Sequence, residues 1–310
     1  MTARTSHLRA RWSWIRYFEA SAAHALEAAV NGREPTLAMR LGTAGHAAAL
    51  EPHRLVVYGP GSYVDAKGKI RTHAGTRRGA AWEAFVAAQK PDAVIVSESE
   101  YRRATAMAAA LRRADEERVH PDTGEPLPLL FGPGVLREST IAWAVPSDVD
   151  PTAPPRQYSS TPDARLPGRW IADLKVVRTG DPERYPRDSS RMGYPSQLVM
   201  YDEADAYART GDHRLRSCEL FSVTVESTPP HVVTTYRLSA SAVAAGERAL
   251  ARWRAALATA ERFDLWPGYC QSVIDYEVDD PLAPLDGLTD TDQPEIHTAD
   301  ADDNGEPIDF

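Results

Sequence analysis

Apolar residues recur at helical spacing in six segments of the chain, several of which end at Gly, Asn or Pro. The predicted helices span residues 13–30, 36–50, 80–89, 98–118, 193–209 and 240–260. Runs rich in branched and aromatic residues predict strands at 53–60, 93–97, 135–145, 158–166, 169–177, 217–227 and 231–239. The polar segments 65–79 and 178–191 are predicted to be connections without regular structure.

The order of these elements predicts the class of the fold. Helices come first, a meander of strands follows, and the chain then returns to a helix, two strands and a helix. Elements mixed in this way bury their apolar faces by packing helices against a sheet. We therefore expect an α/β protein with a mixed central β-sheet flanked by helices.

One predicted strand, 171–177, carries two charged residues among apolar ones. Side chains alternate between the two faces of a strand, so Asp173 and Lys175 point to one face while their apolar neighbours point into a core. Charged groups are seldom buried unless they are paired or bind a metal. The pair is therefore either a structural salt bridge or one wall of a metal site.

A second carboxylate belongs to the preceding predicted strand. Asp163 follows Pro162 and lies ten residues before Asp173, with the turn-forming sequence LPG between the strands. Antiparallel pairing would bring the two carboxylates together, where they repel unless a cation lies between them. Mg²⁺ commonly uses one or two carboxylates together with a substrate phosphate. This arrangement favours a magnesium site over a salt bridge, with Lys175 holding a water molecule or neutralising charge on a phosphate.

Four further residues are candidates for the same site. His46 lies among small residues in RLGTAGHAAALEP and is either a metal ligand or an ordinary helix histidine. Gln197 and Tyr201 share a helix face, where they either contact a phosphate or base or form the polar edge of an amphipathic helix. Glu138 precedes the Asp163 strand and is either a carboxylate near the metal or a solvent-facing strand residue.

The charge distribution separates the C-terminal end from the rest of the chain. The chain has 310 residues and a formal net charge of −9, yet residues 277–310 contain twelve Asp and Glu and no Lys or Arg. The remainder carries 32 acidic and 35 basic residues, a formal charge of +3. We expect residues 1–276 to form a single domain and the acidic, proline-rich segment 277–310 to be mostly disordered.

Other features of the sequence concern location and partners. No run of about 18 apolar residues is present, which argues against a membrane span, and the basic, aromatic N-terminus does not resemble a signal peptide. Two distant cysteines suit the cytoplasm and exclude a cysteine-rich metal site. Arginines along 102–118 and the basic segment 67–78 either contact a phosphate backbone or form a solvated surface.

The ordered motifs P-D at 162–163, D-x-K at 173–175 and Q-x-x-x-Y at 197–201 resemble the PD-(D/E)XK nuclease superfamily. The chain most resembles the RecE-like branch, that of phage and prophage exodeoxyribonuclease VIII, over most of residues 10–275. The segments that carry this resemblance include AMRLGTAGHAAALEP, RRGAAWEAFVAA, AVIVSESEYRRATAMAAAL, GYPSQLVMY, FSVTVESTPPHVVTTYRLS and WPGY. Val176 departs from the family, which often has Thr after the lysine, and the iron–sulfur cysteines of some relatives are absent.

The resemblance implies a PD-(D/E)XK nuclease-like core and a role for each candidate residue. Lys175 would be the catalytic lysine, and Gln197 and Tyr201 would support the site and the DNA strand. The cofactor would be Mg²⁺, with Mn²⁺ able to substitute for it. The implied metal ligands are Asp163, Asp173, the carbonyl of Leu174, His46 and, at the acidic position before the P-D strand, Glu138.

The resemblance also implies an activity and partners. The expected activity is Mg²⁺-dependent exonucleolytic digestion of linear duplex DNA, 5′→3′, in phage-type recombination. The expected partners are duplex DNA ends, a RecT-like single-strand annealing protein and further copies of the chain in a ring. Two alternatives remain: a single-strand or structure-specific nuclease, and a non-catalytic DNA-binding or assembly protein that keeps the fold. The full set of motif residues argues against the second alternative.

Overall fold

A computed structural model of the chain describes Thr5 and residues 8–32, 34–64, 68–146 and 152–269. The predicted disordered segment 277–310 and Cys270 lie outside these residues. The helices are α1 (Trp12–Ile15), α2 (Ala22–Val30), α3 (Leu37–Leu50), α4 (Ala80–Ala87), α5 (Glu98–Glu117), α6 (Tyr185–Met192), α7 (Tyr194–Thr210) and α8 (Ala240–Phe263). Short 3₁₀ turns span Arg16–Glu19 and Pro52–Arg54.

The strands are β1 (Leu55–Val57), β2 (Gly61–Val64), β3 (Ile70–His73), β4 (Val94–Val96), β5 (Leu136–Arg137), β6 (Ile141–Val145), β7 (Arg156–Ser160), β8 (Ala164–Leu166), β9 (Trp170–Val177), β10 (Glu219–Glu226) and β11 (Val233–Arg237). The main sheet has the order β11-β10-β9-β8-β5. Its β9–β10 pair is parallel and its other pairs are antiparallel. Three two-stranded sheets, β1–β4, β2–β3 and β6–β7, accompany it.

Helices cover both faces of the main sheet, which confirms the predicted mixed α/β class. On one face, Ala172 and Leu174 of β9 pack with residues of α3 and α5, including Met107. On the other face, Ile171 packs with residues of α7 and α8, including Leu198. The alternation predicted for β9 is therefore confirmed. No helix in the described part of the chain is long and apolar enough to cross a membrane.

Three predicted elements are interrupted. The predicted helix 13–30 divides at Ser21, whose side chain accepts a hydrogen bond from the backbone N–H of His24 and so starts α2 as an N-cap. The predicted strand 135–145 breaks between β5 and β6, where Glu138 has a φ of 49°. The predicted strand 158–166 breaks between β7 and β8, since Pro162 has no backbone N–H to donate to a ladder.

Two segments predicted to be irregular are in fact ordered. Within 65–79, residues Ile70–His73 form β3 and pair antiparallel with β2. Within 178–191, residues from Tyr185 onward form α6, which has a proline in its first turn and ends at Gly193 with a φ of 74°. The predictions failed because both segments are short and contain few apolar residues, so neither has the apolar run on which the predictions of helices and strands relied.

Candidate metal centre

Strands β8 and β9 bring the two predicted aspartates together. Ala164 lies opposite Ala172 in the antiparallel pair, so Asp163, one residue before β8, faces Asp173 across the same register. Asp163 Oδ2 accepts a hydrogen bond from the backbone N–H of Leu174 at 2.6 Å. The N–H and C=O of a strand residue point to the same edge, so the carbonyl of Leu174 also faces the place where β8 begins.

Helix α3 packs on the face of the sheet that carries Ala172 and Leu174, and it places His46 beside Asp163. His46 Nε2 lies 3.1 Å from Asp163 Oδ1 and 3.4 Å from Glu138 Oε1. One ligand atom from each of these three residues lies within 4.8 Å of the other two. Asp173 contributes no atom to this group. The structure therefore forms a His–Glu–Asp cluster, with Asp173 beside it.

Gly45 sets how closely α3 approaches β9. A Cβ atom added at Gly45 would stand 2.9 Å from both Met107 Cε and Val176 Cγ2. The helix itself begins conventionally, because the side chain of Thr36 accepts a hydrogen bond from the N–H of Met39. The small residue before His46 thus lets the imidazole reach the start of β8.

Glu138 occupies a backbone conformation that costs energy. Its φ of 49° lies in the left-handed region, which residues with a Cβ rarely adopt. Its N–H donates to the carbonyl of Asp163 at 3.2 Å, which holds the residue in place. The sequence reading of Glu138 as a residue within a continuous strand is wrong in this respect. Backbone strain of this kind is found mainly where the surrounding structure imposes it, often at functional sites.

Lys175 is held on the other side of the cluster by residues of β9 and α7. Its ammonium forms an ion pair with Asp173 and donates to Gln197 Oε1 at 3.1 Å. Gln197 Nε2 in turn donates to the hydroxyl of Tyr201 at 2.8 Å. Gln197 and Tyr201 are 7% exposed each, so this chain of polar contacts lies inside the protein. The structure brings both helix residues to the site.

Two tyrosines near the site were missed as candidates. The ammonium of Lys175 lies 4.5 Å from the ring centre of Tyr194, three residues before Gln197 on the same helix face. The hydroxyl of Tyr185 lies 2.6 Å from Ser222 Oγ, and Ser222 is the partner of Asp173 in the β9–β10 pair. The spacing of Tyr194, Gln197 and Tyr201 was a detectable signal, whereas Tyr185 lay in a segment predicted to be irregular.

The site has an excess of negative charge. Burial raises the pKa of Asp173 to about 6 and that of Glu138 to about 7. Burial alone would lower the pKa of His46, but the carboxylates of Asp163 and Glu138 outweigh it and raise that pKa to about 9. Burial likewise opposes charge on Lys175, and Asp173 and Asp163 together hold its pKa above the usual value. Both cationic side chains are therefore stabilised in their protonated forms.

One buried carboxylate oxygen at the site has no partner among the described residues. Asp173 Oδ2 contacts the ammonium of Lys175, and Glu138 Oε1 lies 3.4 Å from His46 Nε2. Asp173 Oδ1 is buried and accepts no hydrogen bond from any described residue. Buried carboxylate oxygens without partners are costly unless a cation compensates them. Carboxylate and carbonyl oxygens are the ligands that Mg²⁺ and Mn²⁺ prefer. The residues present therefore fit a hard divalent cation, and His46 would have to lose its proton to join them.

A second group of possible ligands is formed by His120, Asp122 and Glu219. Its carboxylates are paired with an arginine. Arg237 contacts both carboxylates of that group, and His120 Nε2 lies 3.0 Å from Glu219 Oε2. The protein's own cation therefore compensates these acids. The cluster of His46, Glu138 and Asp163 differs because it lies beside Asp173, whose buried Oδ1 accepts no hydrogen bond from any described residue.

No protein-family model matches the sequence, and no curated protein sequence matches it. The crystal structure of a "Putative exonuclease" from Eubacterium rectale is similar to 90% of this chain and 96% of its own chain, with 12% sequence identity and a TM-score of 0.49. This similarity is too low to establish a common fold, so the function must be argued from the site.

Proposed function

We propose that this chain is a Mg²⁺-dependent deoxyribonuclease whose site is built around Asp163, Asp173 and Lys175. The observation that carries the proposal is the buried carboxylate of Asp173, whose Oδ1 accepts no hydrogen bond from any described residue, beside a buried lysine ammonium. A site that holds a hard cation and a fixed ammonium together suits a substrate with spread negative charge, such as a phosphodiester.

The ligands of the cation would be Glu138, Asp163, Asp173 and the carbonyl of Leu174, with His46 joining once it is neutral. A bound Mg²⁺ supplies Lewis-acid stabilisation of the phosphate and makes a nearby water more acidic, and Mn²⁺ can do the same. The N–H of Leu174 fixes one oxygen of Asp163, which leaves the other oxygen directed towards His46. The backbone of β9 thus orients the carboxylate before any ligand arrives.

Lys175 acts as a cationic hydrogen-bond donor in this proposal. Its pKa is held above the usual value by Asp173 and Asp163, so it stays protonated and is poorly suited to act as a base. An ammonium has three donors, and Asp173 and Gln197 engage two of them. The third is left for the attacking water or for a phosphate oxygen as charge builds up on it.

The proposed type of nuclease, its substrate and its direction of digestion rest on the order of motifs in the sequence. P-D, D-x-K and Q-x-x-x-Y in this order support a RecE-like exodeoxyribonuclease that digests linear duplex DNA 5′→3′ in phage-type recombination. A ring of identical chains, a RecT-like annealing protein as partner and a cytoplasmic location belong to the same proposal. The alternatives are a single-strand or structure-specific nuclease and a non-catalytic DNA-binding protein.

The test uses linear duplex DNA labelled at either the 5′ or the 3′ end and closed circular duplex, each with Mg²⁺ or EDTA. We expect loss of the 5′ label first, only with Mg²⁺ and only from linear DNA. The Asp173→Asn variant should be inactive, while Asp188→Asn, which changes an exposed aspartate on α6, should be as active as the wild type. Cleavage of circular DNA would favour an endonuclease, and binding without cleavage would favour the non-catalytic alternative.

A further inference from the structure

A cleft lies where the 3₁₀ turn Arg16–Glu19, the junction of α6 and α7, and helix α8 meet. We call it the α6–α8 cleft. Its volume is about 580 Å³, within the range of sites that hold small ligands. Helix α8 packs closely on the start of α7, since a Cβ added at Gly246 would stand 2.7 Å from the carbonyl carbon of Pro195. The cleft is therefore bounded by packed elements of the fold.

The cleft is lined with arginines. Four arginines and one glutamate line it, a formal charge of +3 in a chain whose formal net charge is −9. They are Arg16, Arg191, Arg248, Arg252 and Glu19. Glu19 pairs with Arg252, whereas Arg191 and Arg248 are exposed and have no hydrogen bond or ion pair with any described residue. The guanidinium groups of these two arginines are therefore available to an anionic ligand.

Arg16 is held firmly at one wall of the cleft. Its guanidinium carbon lies 4.7 Å from the ring centre of Trp12 and 4.8 Å from that of Tyr17. Its Nη1 donates to the carbonyl of Met192 at 3.2 Å. Its Nε is buried and donates to no described residue. A guanidinium that is stacked on aromatic rings is already ordered, which lowers the entropy cost of binding an anion.

A series of ring contacts connects the cleft with the candidate metal centre. The ammonium of Lys175 lies 4.5 Å from the ring centre of Tyr194, and the rings of Tyr194 and Trp12 have centroids 6.0 Å apart. Trp12 Nε1 also donates to the carbonyl of Gly193 at 3.3 Å, a residue that lines the cleft. Arg16 is therefore separated from Lys175 by three contacts of 4.5–6.0 Å each, a span that a few nucleotides of one strand cover.

We propose that the α6–α8 cleft binds phosphates of a single DNA strand a few nucleotides from the candidate metal centre, with Arg191 and Arg248 as ionic contacts. This inference rests on the proposed nuclease function, because the strand in the cleft is the one whose phosphodiester reaches Lys175. A cleft of this volume admits a few nucleotides of one strand and not a duplex. Arginine holds a phosphate through paired N–H donors without reading bases, so the contact is independent of sequence.

A DNA strand fits the cleft better than a free nucleotide does. The arginines belong to separate elements, with Arg191 on α6, Arg248 on α8 and Arg16 in the 3₁₀ turn. A mononucleotide brings one phosphate, whereas successive phosphates of a strand engage arginines on separate elements. The position of the cleft beside Tyr194 also lets the same strand continue to Lys175.

The test measures the affinity for a fluorescein-labelled single-stranded oligonucleotide as a function of NaCl concentration, in EDTA so that no hydrolysis occurs. Arg191→Gln/Arg248→Gln should bind at least about tenfold more weakly at about 50 mM NaCl. Its slope of log affinity against log salt should be shallower by about 1.4, since each lost phosphate contact of a single strand contributes about 0.7. The matched control, Lys90→Gln/Arg169→Gln, removes the same charge from exposed side chains that have no described partner and should keep the wild-type slope.

A second pair of variants tests the cleft without removing an arginine. Ala245 and Ala251 are both exposed on α8, and Ala245 lines the cleft whereas Ala251 does not. Ala245→Glu places a negative charge in the cleft and should weaken binding of the same oligonucleotide at low salt. Ala251→Glu changes the net charge and the helix propensity by the same amount and should bind close to the wild type.

Three results would overturn the inference. The first is an equal slope for the arginine variant and its matched control, which would mean that only total charge matters. The second is an arginine variant that loses binding of deoxyadenosine monophosphate in equilibrium dialysis but keeps binding of the strand, which would make the cleft a nucleotide site. The third is a larger loss of affinity for a blunt duplex than for the single strand. Because binding is measured without Mg²⁺, a chain that binds the strand through the cleft but never cleaves it would contradict the proposed function and leave this inference intact.

Discussion

At the scale of single residues, the environment of Lys175 determines what it can do. Asp173 pairs with its ammonium, Gln197 Oε1 accepts a hydrogen bond from it and the ring of Tyr194 lies beneath it. An ammonium over an aromatic face is attracted to the electron-rich ring. Each of these contacts favours the charged form, which is why Lys175 suits charge stabilisation better than proton abstraction.

We expect Lys175→Ala to bind metal at least as well as the wild type but to lose turnover. Removing an ammonium beside the ligands removes a repulsion towards a cation. The missing donor should slow the chemical step by roughly 10²–10³-fold, as for other donors to a charged transition state. Calorimetric titration with Mn²⁺ and a single-turnover DNA assay separate the two effects, with Lys90→Ala, an exposed lysine, as control. Wild-type turnover in the variant would make Lys175 a structural partner of Asp173 only.

The role of Asp173 as a metal ligand can be tested by thermal stability, without measuring DNA cleavage. A cation that binds only the folded state raises the thermal midpoint, by about 2–4 °C for a stabilisation of 1 kcal/mol in a domain of this size. We expect Mg²⁺ to raise the midpoint of the wild type and of Asp188→Asn but not that of Asp173→Asn. Differential scanning calorimetry with and without Mg²⁺ measures this. An equal shift in all three proteins would remove Asp173 from the ligand set.

At the scale of elements, the contact between α3 and β9 decides whether His46 reaches the site. Two glycines on α3 differ sharply in what surrounds them. A Cβ at Gly45 meets Met107 and Val176 at 2.9 Å, whereas a Cβ at Gly42 meets nothing within 4 Å. The helix therefore contains its own matched pair of positions for a test.

We expect Gly42→Ala to stabilise the protein by up to about 1 kcal/mol through helix propensity. We expect Gly45→Ala to destabilise it by about 1–2 kcal/mol, because the added methyl group overpacks the contact. The displaced helix should also weaken Mn²⁺ binding, since His46 follows directly. Urea unfolding and calorimetry measure both effects. Equal stabilisation by the two substitutions would show that α3 does not need this close approach.

Cys218 lies in the connection between α7 and β10, and its thiol is expected to be unreactive. Burial raises the pKa of Cys218 above its usual value, and the carboxylates of Asp202 and Asp205 raise it further. Its thiol donates to Asp205 Oδ2 at 3.5 Å. A higher pKa means less thiolate at a given pH, and the thiolate is the reactive form. Burial and the two carboxylates thus keep the partly exposed Cys218 protonated.

In a Cys270→Ser background, we expect iodoacetamide to alkylate Cys218 at least about tenfold more slowly than glutathione at pH 8. The rate should still be rising with pH at about pH 10, where an ordinary thiol has reached its plateau. Asp202→Asn should accelerate the reaction, whereas Asp212→Asn, which removes a partly exposed partner of Arg214, should not. A plateau near pH 9 in the parent protein would contradict the pKa direction.

At the scale of the whole molecule, one segment controls the net charge. Without residues 277–310 the chain carries 32 acidic and 35 basic residues, so its formal charge changes from −9 to +3. A net negative chain repels DNA at long range, and salt screens this repulsion beyond a Debye length of about 8 Å at physiological ionic strength. The effect of the segment should therefore depend on salt.

We expect deletion of 277–310 to preserve Mg²⁺-dependent DNA hydrolysis and to tighten DNA binding several-fold at low salt, with the difference shrinking towards about 0.15 M. Fluorescence anisotropy over a salt series measures the binding. A full-length control with the segment's twelve acidic residues replaced by Asn and Gln should bind like the truncation. Insolubility or complete loss of hydrolysis on truncation would show that the segment is needed for the fold.

The sequence by itself determined the local features of the site. The alternation of polar and apolar residues along 171–177 required Asp173 and Lys175 to share the face opposite that of Ala172 and Leu174, and the structure has them so. The sequence LPG predicted a turn between the two strands, and their antiparallel pairing in the structure brings Asp163 opposite Asp173. Both features depend on residues that are close together in the sequence. There the residue periods of helices and strands determine which side chains share a face.

Only the tertiary structure decided which distant residues complete the site. His46 and Glu138 meet Asp163 because α3 packs against β9 at Gly45 and because the chain turns at Glu138 with a positive φ. Tyr185 joins through α6, a helix that shows too few apolar residues to be predicted. Long-range packing depends on the fit of side chains from separate elements, and that fit leaves no period in the sequence. Local patterning therefore specified the strand and its charges, whereas packing specified the cluster.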